Sequence, residues 1–228
     1  MSAQHALVVG ATKGLGLALA EKYLAEGWAV TATTLEPSPA LDALAERYSG
    51  LDIRSLDVID VDAVAALREN FNGRMLNVVH IVAGVFQASF APIWEQPGEE
   101  ILRLLNTNAI AGIRMAELFA PLVPEGGVFA FTSSGMGSMT RNVLGDVDLY
   151  RISKASLNML ARSFAARHAD SGYAVLLLCP GWARTDMGGA EATVEVEDSV
   201  NGMYALVSSA GPSREAQFFE YSGDVVAW

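Results

Sequence analysis

The sequence predicts a single α/β domain, residues 1–228, built on a doubly wound parallel sheet with helices on both faces. Three observations predict it. Short apolar, β-rich runs alternate with helix-period segments from end to end. The runs are near-continuously apolar, as expected of strands covered on both faces. No internal repeat, low-complexity tract or long linker divides the chain.

Taken in order, the strands are "ALVVG" (6–10), "WAVTATTL" (28–35), "LDIRSLDV" (51–58), "NVVHIVAG" (77–84), "GVFAFTSS" (127–134) and "YAVLLLCP" (173–180). Helix-period segments fill the intervals at 14–26, 39–48, 60–71, 98–122, 148–169 and 196–208. The last stretch, "QFFEYSGDVVAW", reads as a final strand and an apolar tail.

Composition narrows the function. The 228 residues are 51% hydrophobic, enough to bury a large core, and only 18% are charged, which argues against disorder. A net charge of -11 disfavours nucleic acid as a partner, since phosphate contacts need clustered Lys and Arg. The single Cys179 excludes an internal disulfide framework and a Cys-based zinc cluster. His5, His80 and His168 lack HExxH spacing, so no metal is expected. The N-terminus "MSAQHALVVG" lacks the basic and long apolar regions of a signal peptide. No run approaches the roughly 18–20 apolar residues that span a bilayer. A cytoplasmic protein without a membrane partner is expected.

The stretch "GATKGLG" places Gly10, Gly14 and Gly16 between a strand and a helix. In that setting Gly10 permits the tight turn, Gly14 admits a pyrophosphate close to the backbone, and Gly16 allows close helix packing. Phosphates would sit at the N-terminus of helix 14–26, where free N–H groups favour anions. Downstream, "YRISK" supplies Tyr150 and Lys154. Residues four apart on a helix share a face, so phenol and ammonium point into one cleft. A tyrosine with pKa near ~10 is a poor acid or base at neutral pH, and a nearby cation is expected to lower that value. Tyr150 could then exchange a proton with a carbonyl or hydroxyl oxygen.

The GxxxGxG spacing at the N-terminus, followed by YxxxK after the fifth strand, resembles the short-chain dehydrogenase/reductase family. The resemblance implies a Rossmann-type fold and hydride transfer between a nicotinamide cofactor and a carbonyl or secondary alcohol. It implies Tyr150 as general acid/base, with Lys154 also bonding the nicotinamide ribose. In "SSGMG", Ser134 matches the family's SxxG pattern better than Ser133, and is the serine expected beside the substrate oxygen. In "LLNTNAIAG", Asn108 matches better than Asn106, and is expected to hold a water linked to Lys154. Gly10, Thr12, Lys13, Gly14, Leu15, Gly16, Asp57, Val58, Ala83, Gly84, Pro180, Gly181 and Thr185 complete the implied cofactor site, with Asp57 at the adenine and Thr185 at the carboxamide. "ASLNML", "PGWARTDMGG" and the tryptophan-ending tail are similar to the C-factor and sniffer-type branch of carbonyl reductases. Members of the family pair the helices 98–122 and 148–169 between subunits, implying a homodimer or homotetramer.

Two departures stand out. The usual NNAG reads "IVAG", with Val82 in an asparagine's place, implying altered local packing. At the end of the second strand, Leu35 stands where this branch often has an arginine for the NADP 2′-phosphate. Glu36, roughly twenty residues past the glycine loop, would suit a free 2′-hydroxyl, whereas Lys13 points to a phosphate. The balance leans to NADP, with NAD the alternative. Loops 85–97, 135–147 and 186–198 would shape the substrate site, and nothing in them names the substrate. Two other readings compete: a nucleotide-sugar epimerase or dehydratase, and a signalling protein that has lost turnover. The first usually needs a longer C-terminal region, and intact Ser134, Tyr150 and Lys154 argue against the second.

Overall fold

Parallel strands buried on both faces must hand every backbone group to a neighbour and every side chain to a helix. The computed structural model, which describes residues 4–86 and 89–228, meets both demands. Among these residues the order is β1 (His5–Val9), α1 (Gly14–Ala25), β2 (Ala29–Thr34), α2 (Pro39–Arg47), β3 (Leu51–Ser55), α3 (Val61–Asn70), β4 (Val78–Ile81), α4 (Gly98–Leu105), α5 (Ala111–Phe119), β5 (Val128–Thr132), α6 (Asp148–Arg167), β6 (Ala174–Cys179), α7 (Val196–Ser209) and β7 (Gln217–Glu220). The strands form one sheet in the order β3-β2-β1-β4-β5-β6-β7, and every neighbouring pair is parallel. The order reverses between β1 and β4, which opens a crevice beyond their C-terminal ends.

Alternate side chains along each strand feed two separate cores. Leu7, Val79, Phe129 and Leu177 join α3, α5 and α6 on one face. Ala6, Val8, Val30 and Leu176 join α1, α2 and α7 on the other. Phe129 meets both Phe164 and Tyr173 edge-on at about 5 Å, a geometry favoured by the ring quadrupoles. The final strand is β7, and Trp228 folds back so that its ring lies 5.5 Å from Phe218 and 4.6 Å from the Arg162 guanidinium.

Two elements depart from the sequence reading. The run "LDIRSLDV" is strand only as far as Ser55, and Arg54 and Ser55 are exposed, because β3 is an edge strand. The helix expected over 98–122 is α4 and α5 joined by a π-helical turn at Asn106–Ile110, closed by a 3₁₀ turn at Ala120–Leu122. No helix among the described residues is long and apolar enough to cross a membrane.

Val82, in the asparagine's place, packs against the second core. The polar link between the central strands comes instead from His80. Its Nε2 lies 3.4 Å from the Thr132 hydroxyl and its Nδ1 3.4 Å from the Tyr23 hydroxyl, all three buried. Complete burial pushes the His80 pKa down to about 3 from its ordinary 6.5. The unfolded chain therefore takes up this proton near pH 6.5 and the folded chain only near pH 3, so stability falls as pH falls through that window. His80→Gln is expected to flatten this part of the stability profile, as read by thermal denaturation across about pH 4 to 7. An unchanged slope would place the acid sensitivity elsewhere.

Candidate active site

The glycine loop is built by contacts that a Cβ would destroy. Gly10 has φ +86°, and a Cβ there would lie 2.7 Å from the Ala83 Cα, where β1 and β4 converge. A Cβ on Gly16 would stand 2.0 Å from the Gly10 carbonyl oxygen, so only glycine lets α1 start so close to the loop. Gly14 has φ +57°, and a Cβ would point at the Thr185 methyl, 3.3 Å away. The loop is bolted to the end of β2. Gly10 N–H donates to the Thr33 hydroxyl at 3.0 Å, Ala11 N–H to the Thr33 carbonyl at 2.7 Å, and the Ser38 hydroxyl to the Thr12 carbonyl at 2.7 Å. Lys13 offers α1 no side-chain cap, which leaves the first-turn N–H groups available to an anion.

From this loop a cleft of about 820 Å³ runs along the sheet edge to Tyr150 and Lys154. Gly10, Thr12, Lys13, Gly14, Leu15 and Gly16 line one end. Asp57, Val58, Ala83, Gly84, Pro180 and Thr185 line its walls. Asp186 and Met187, from the loop 186–198 expected to shape the substrate site, also line it, as do Arg103 and Thr107, which the sequence reading did not name. Only topology brings Arg103 and Thr107 to the crevice, and no local pattern marks them. Among the predicted residues, Ser134, Asn108 and Gly181 are not part of the lining. Gly181 makes a turn at φ +71° under Tyr221 and Val194. The Asp57 carboxylate accepts the Ile59 N–H at 3.1 Å, shaping the turn after β3.

Helix α6 delivers the phenol and the ammonium. Its start is unusual, because Val147, a β-branched residue, caps it in the left-handed region at φ 50°. The nearly buried Arg151 holds this turn, donating from Nε to the Asp146 carbonyl at 2.7 Å and from Nη2 to the Asp146 carboxylate at 2.5 Å. Tyr150 meets the Phe86 ring edge-on at 4.8 Å. Lys154 Nζ lies 5.8 Å from the Tyr150 ring centre and donates to the Thr132 carbonyl at 2.9 Å.

The two serines are distinguished by direction, since neighbours in an extended chain point oppositely. The Ser133 hydroxyl is buried and donates to Asn158 Oδ1 at 2.6 Å. The Ser134 hydroxyl accepts the Met136 N–H at 3.1 Å and lies close enough to Tyr150 to favour its phenolate. Asn108 lies in the π turn rather than in regular helix. Its carboxamide is satisfied at long range, accepting the Val85 N–H at 2.7 Å and donating to the Val85 carbonyl and the Ser153 hydroxyl at 2.8 and 2.9 Å. Asn108 Oδ1 and Lys154 Nζ both border the space that a Cβ on Gly84 would fill.

One electrostatic expectation is corrected. Lys154 was expected to lower the Tyr150 pKa, yet burial dominates and pushes it up to about 12, against a smaller lowering by the Ser134 hydroxyl. Burial likewise pulls Lys154 down to about 8. The ammonium lies over the ring, 5.8 Å from its centre, and bonds a carbonyl, so desolvation of the phenolate outweighs its attraction.

Residues 4–196 match the family described as short chain dehydrogenase. The curated protein C-signal of Myxococcus xanthus is 37% identical over 131 residues, 57% of this chain and 79% of that protein. Among solved structures, a short-chain dehydrogenase/reductase from Burkholderia multivorans with bound NADP aligns at TM-score 0.95 and 36% identity, covering 99% of this chain and 100% of that one. The carbonyl reductase Sniffer of D. melanogaster aligns at TM-score 0.91 and 28% identity, again covering 99% and 100%.

Proposed function

The chain belongs to the short chain dehydrogenase family, and from that premise we propose that it is an NADP-dependent reductase of a small carbonyl compound, with NAD the weaker cofactor. The observation that carries this reading is that Tyr150 and Lys154 line the same cleft as the glycine loop, with Ser134 beside the phenol. The cleft fits a dinucleotide in size, in its anion-receptive helix end and in the absence of side chains at Gly10, Gly14 and Gly16. Bound there, the nicotinamide would supply the hydride.

The protein's own groups would handle the proton. Tyr150, neutral at pH 7, donates its hydroxyl proton to the carbonyl oxygen, and Ser134 hydrogen-bonds the same oxygen. Lys154, charged below about pH 8, would stabilise the tyrosinate left behind and would hold the ribose of a bound dinucleotide. Asn108 ties the Val85 loop to α6 beside Lys154. Thr185, which lines the cleft, would contact the carboxamide of a bound nicotinamide, and Asp57 and Val58 would flank the adenine.

A panel of aldehydes and ketones assayed with NADPH and NADH in parallel tests the reading. Absence of turnover with both cofactors would favour a signalling role, the reading suggested by the likeness to C-signal. Gly14→Val forces a β-branched residue to φ +57° and aims it at Thr185, so dinucleotide affinity is expected to fall at least about tenfold in a folded variant. Unchanged affinity by calorimetry would remove the glycine loop from the site. Leu102 on α4 and Ile152 and Met159 on α6 are exposed apolar side chains, the basis for reading the protein as a homodimer or homotetramer.

A further inference from the structure

Lys13 and Asp186 face each other across the mouth of the cleft. Lys13 belongs to the glycine loop and Asp186 to the segment after β6, and both line the cleft. Lys13 Nζ donates to Asp186 Oδ2 at 2.8 Å, with side chains 71% and 77% exposed. The same two segments touch one position away, where the Thr185 methyl faces Gly14. Glu36, at the end of β2, is a further acid whose charge reaches Lys13. The cation best placed at this end of the cleft is therefore already committed to a carboxylate.

We propose that Asp186 is a cofactor-specificity residue: it competes with the 2′-phosphate of NADP for Lys13 and so narrows the preference of the site for NADP over NAD. This rests on the dinucleotide reading above. A cofactor with a 2′-phosphate must take Lys13 from Asp186 and approach a fixed negative charge. A cofactor with a free 2′-hydroxyl leaves the pair intact. An ion pair this exposed is weak, so a phosphate dianion can displace it, and the competition shows as a modest factor. Transfer of Lys13 to the phosphate also frees Asp186, the neighbour of Thr185. Recognition at the adenosine end is thereby coupled to the segment that covers the reacting end.

The test is a double-mutant cycle read by calorimetry, with NADPH and NADH titrated into wild type, Asp186→Asn, Lys13→Met and the double variant. Both positions are exposed, so the variants are expected to fold. Asp186→Asn should tighten NADPH about two- to tenfold and leave NADH within about twofold, and the gain should vanish when Lys13 is Met. Lys13→Met alone should weaken NADPH and spare NADH. Unchanged binding of both cofactors by Asp186→Asn would overturn the proposal alone, as would equal tightening of both or a gain that persists without Lys13. Weaker binding of both would show that the pair clasps any bound dinucleotide, which also overturns competition. Failure of wild type to bind either dinucleotide would overturn the reductase reading and this proposal with it.

Discussion

Tyr150→Phe should lower turnover by ~10²–10⁴-fold while leaving dinucleotide affinity within about twofold. The variant keeps the ring and its edge-on contact with Phe86, so the local packing survives. It deletes the one proton that the proposed reduction passes to the carbonyl oxygen. Ser134 keeps the Met136 N–H, so the serine loop is expected to stay in place. Steady-state rates with an authentic carbonyl substrate, alongside calorimetry with NADPH, separate chemistry from binding. A folded Tyr150→Phe enzyme turning over at near wild-type rate would refute the acid–base assignment.

Lys154→Met carries the second large effect, and it divides into two readouts. Activity should collapse at least as far as for Tyr150→Phe, with cofactor affinity also reduced, because one side chain supplies both the cation and the ribose contact. The stability readout has a definite sign. Burial holds the folded-state pKa of Lys154 at about 8, below its ordinary 10.5. Between those values the unfolded chain binds the proton and the folded chain does not, so wild-type stability rises with pH across this window. The gain is on the order of 3 kcal/mol or less. Met removes the titrating group, so that slope should disappear from thermal or urea denaturation profiles taken from about pH 7.5 to 10.5. The same group predicts that wild-type kcat/KM for carbonyl reduction falls as pH rises through about 8. A Lys154→Met profile that retains the full slope would mean the ammonium is not buried as described.

Much of the frame could be read from short-range pattern. The runs around Val8, Phe129 and Leu177 are apolar at nearly every position because helices cover both faces of the sheet, and that requirement is written locally. Tyr150 and Lys154 share a face because they are four apart on a helix, which holds wherever α6 lies. Gly10, Gly14 and Gly16 stand out because a turn with positive φ and a close helix start tolerate no Cβ. The end of β3 at Ser55 and the π turn at Asn108 were not legible. The first depends on being an edge strand, and the second on the bonds Asn108 makes to Val85 and Ser153.

The sequence by itself determined the alternation of strand and helix, the glycine loop and the Tyr–Lys pair, because each depends on residues within a few positions of one another. Tertiary structure alone decided what those groups experience. It turned the Ser133 hydroxyl to Asn158 and left Ser134 at Tyr150. It raised the pKa of Tyr150 through burial, although the cation one helical turn on, Lys154, suggested the opposite. It joined Lys13 to Asp186 across 173 residues of chain. Burial and long-range pairing arise when the sheet order brings the ends of β1, β4, β5 and β6 to one edge, and no window of local sequence contains that order.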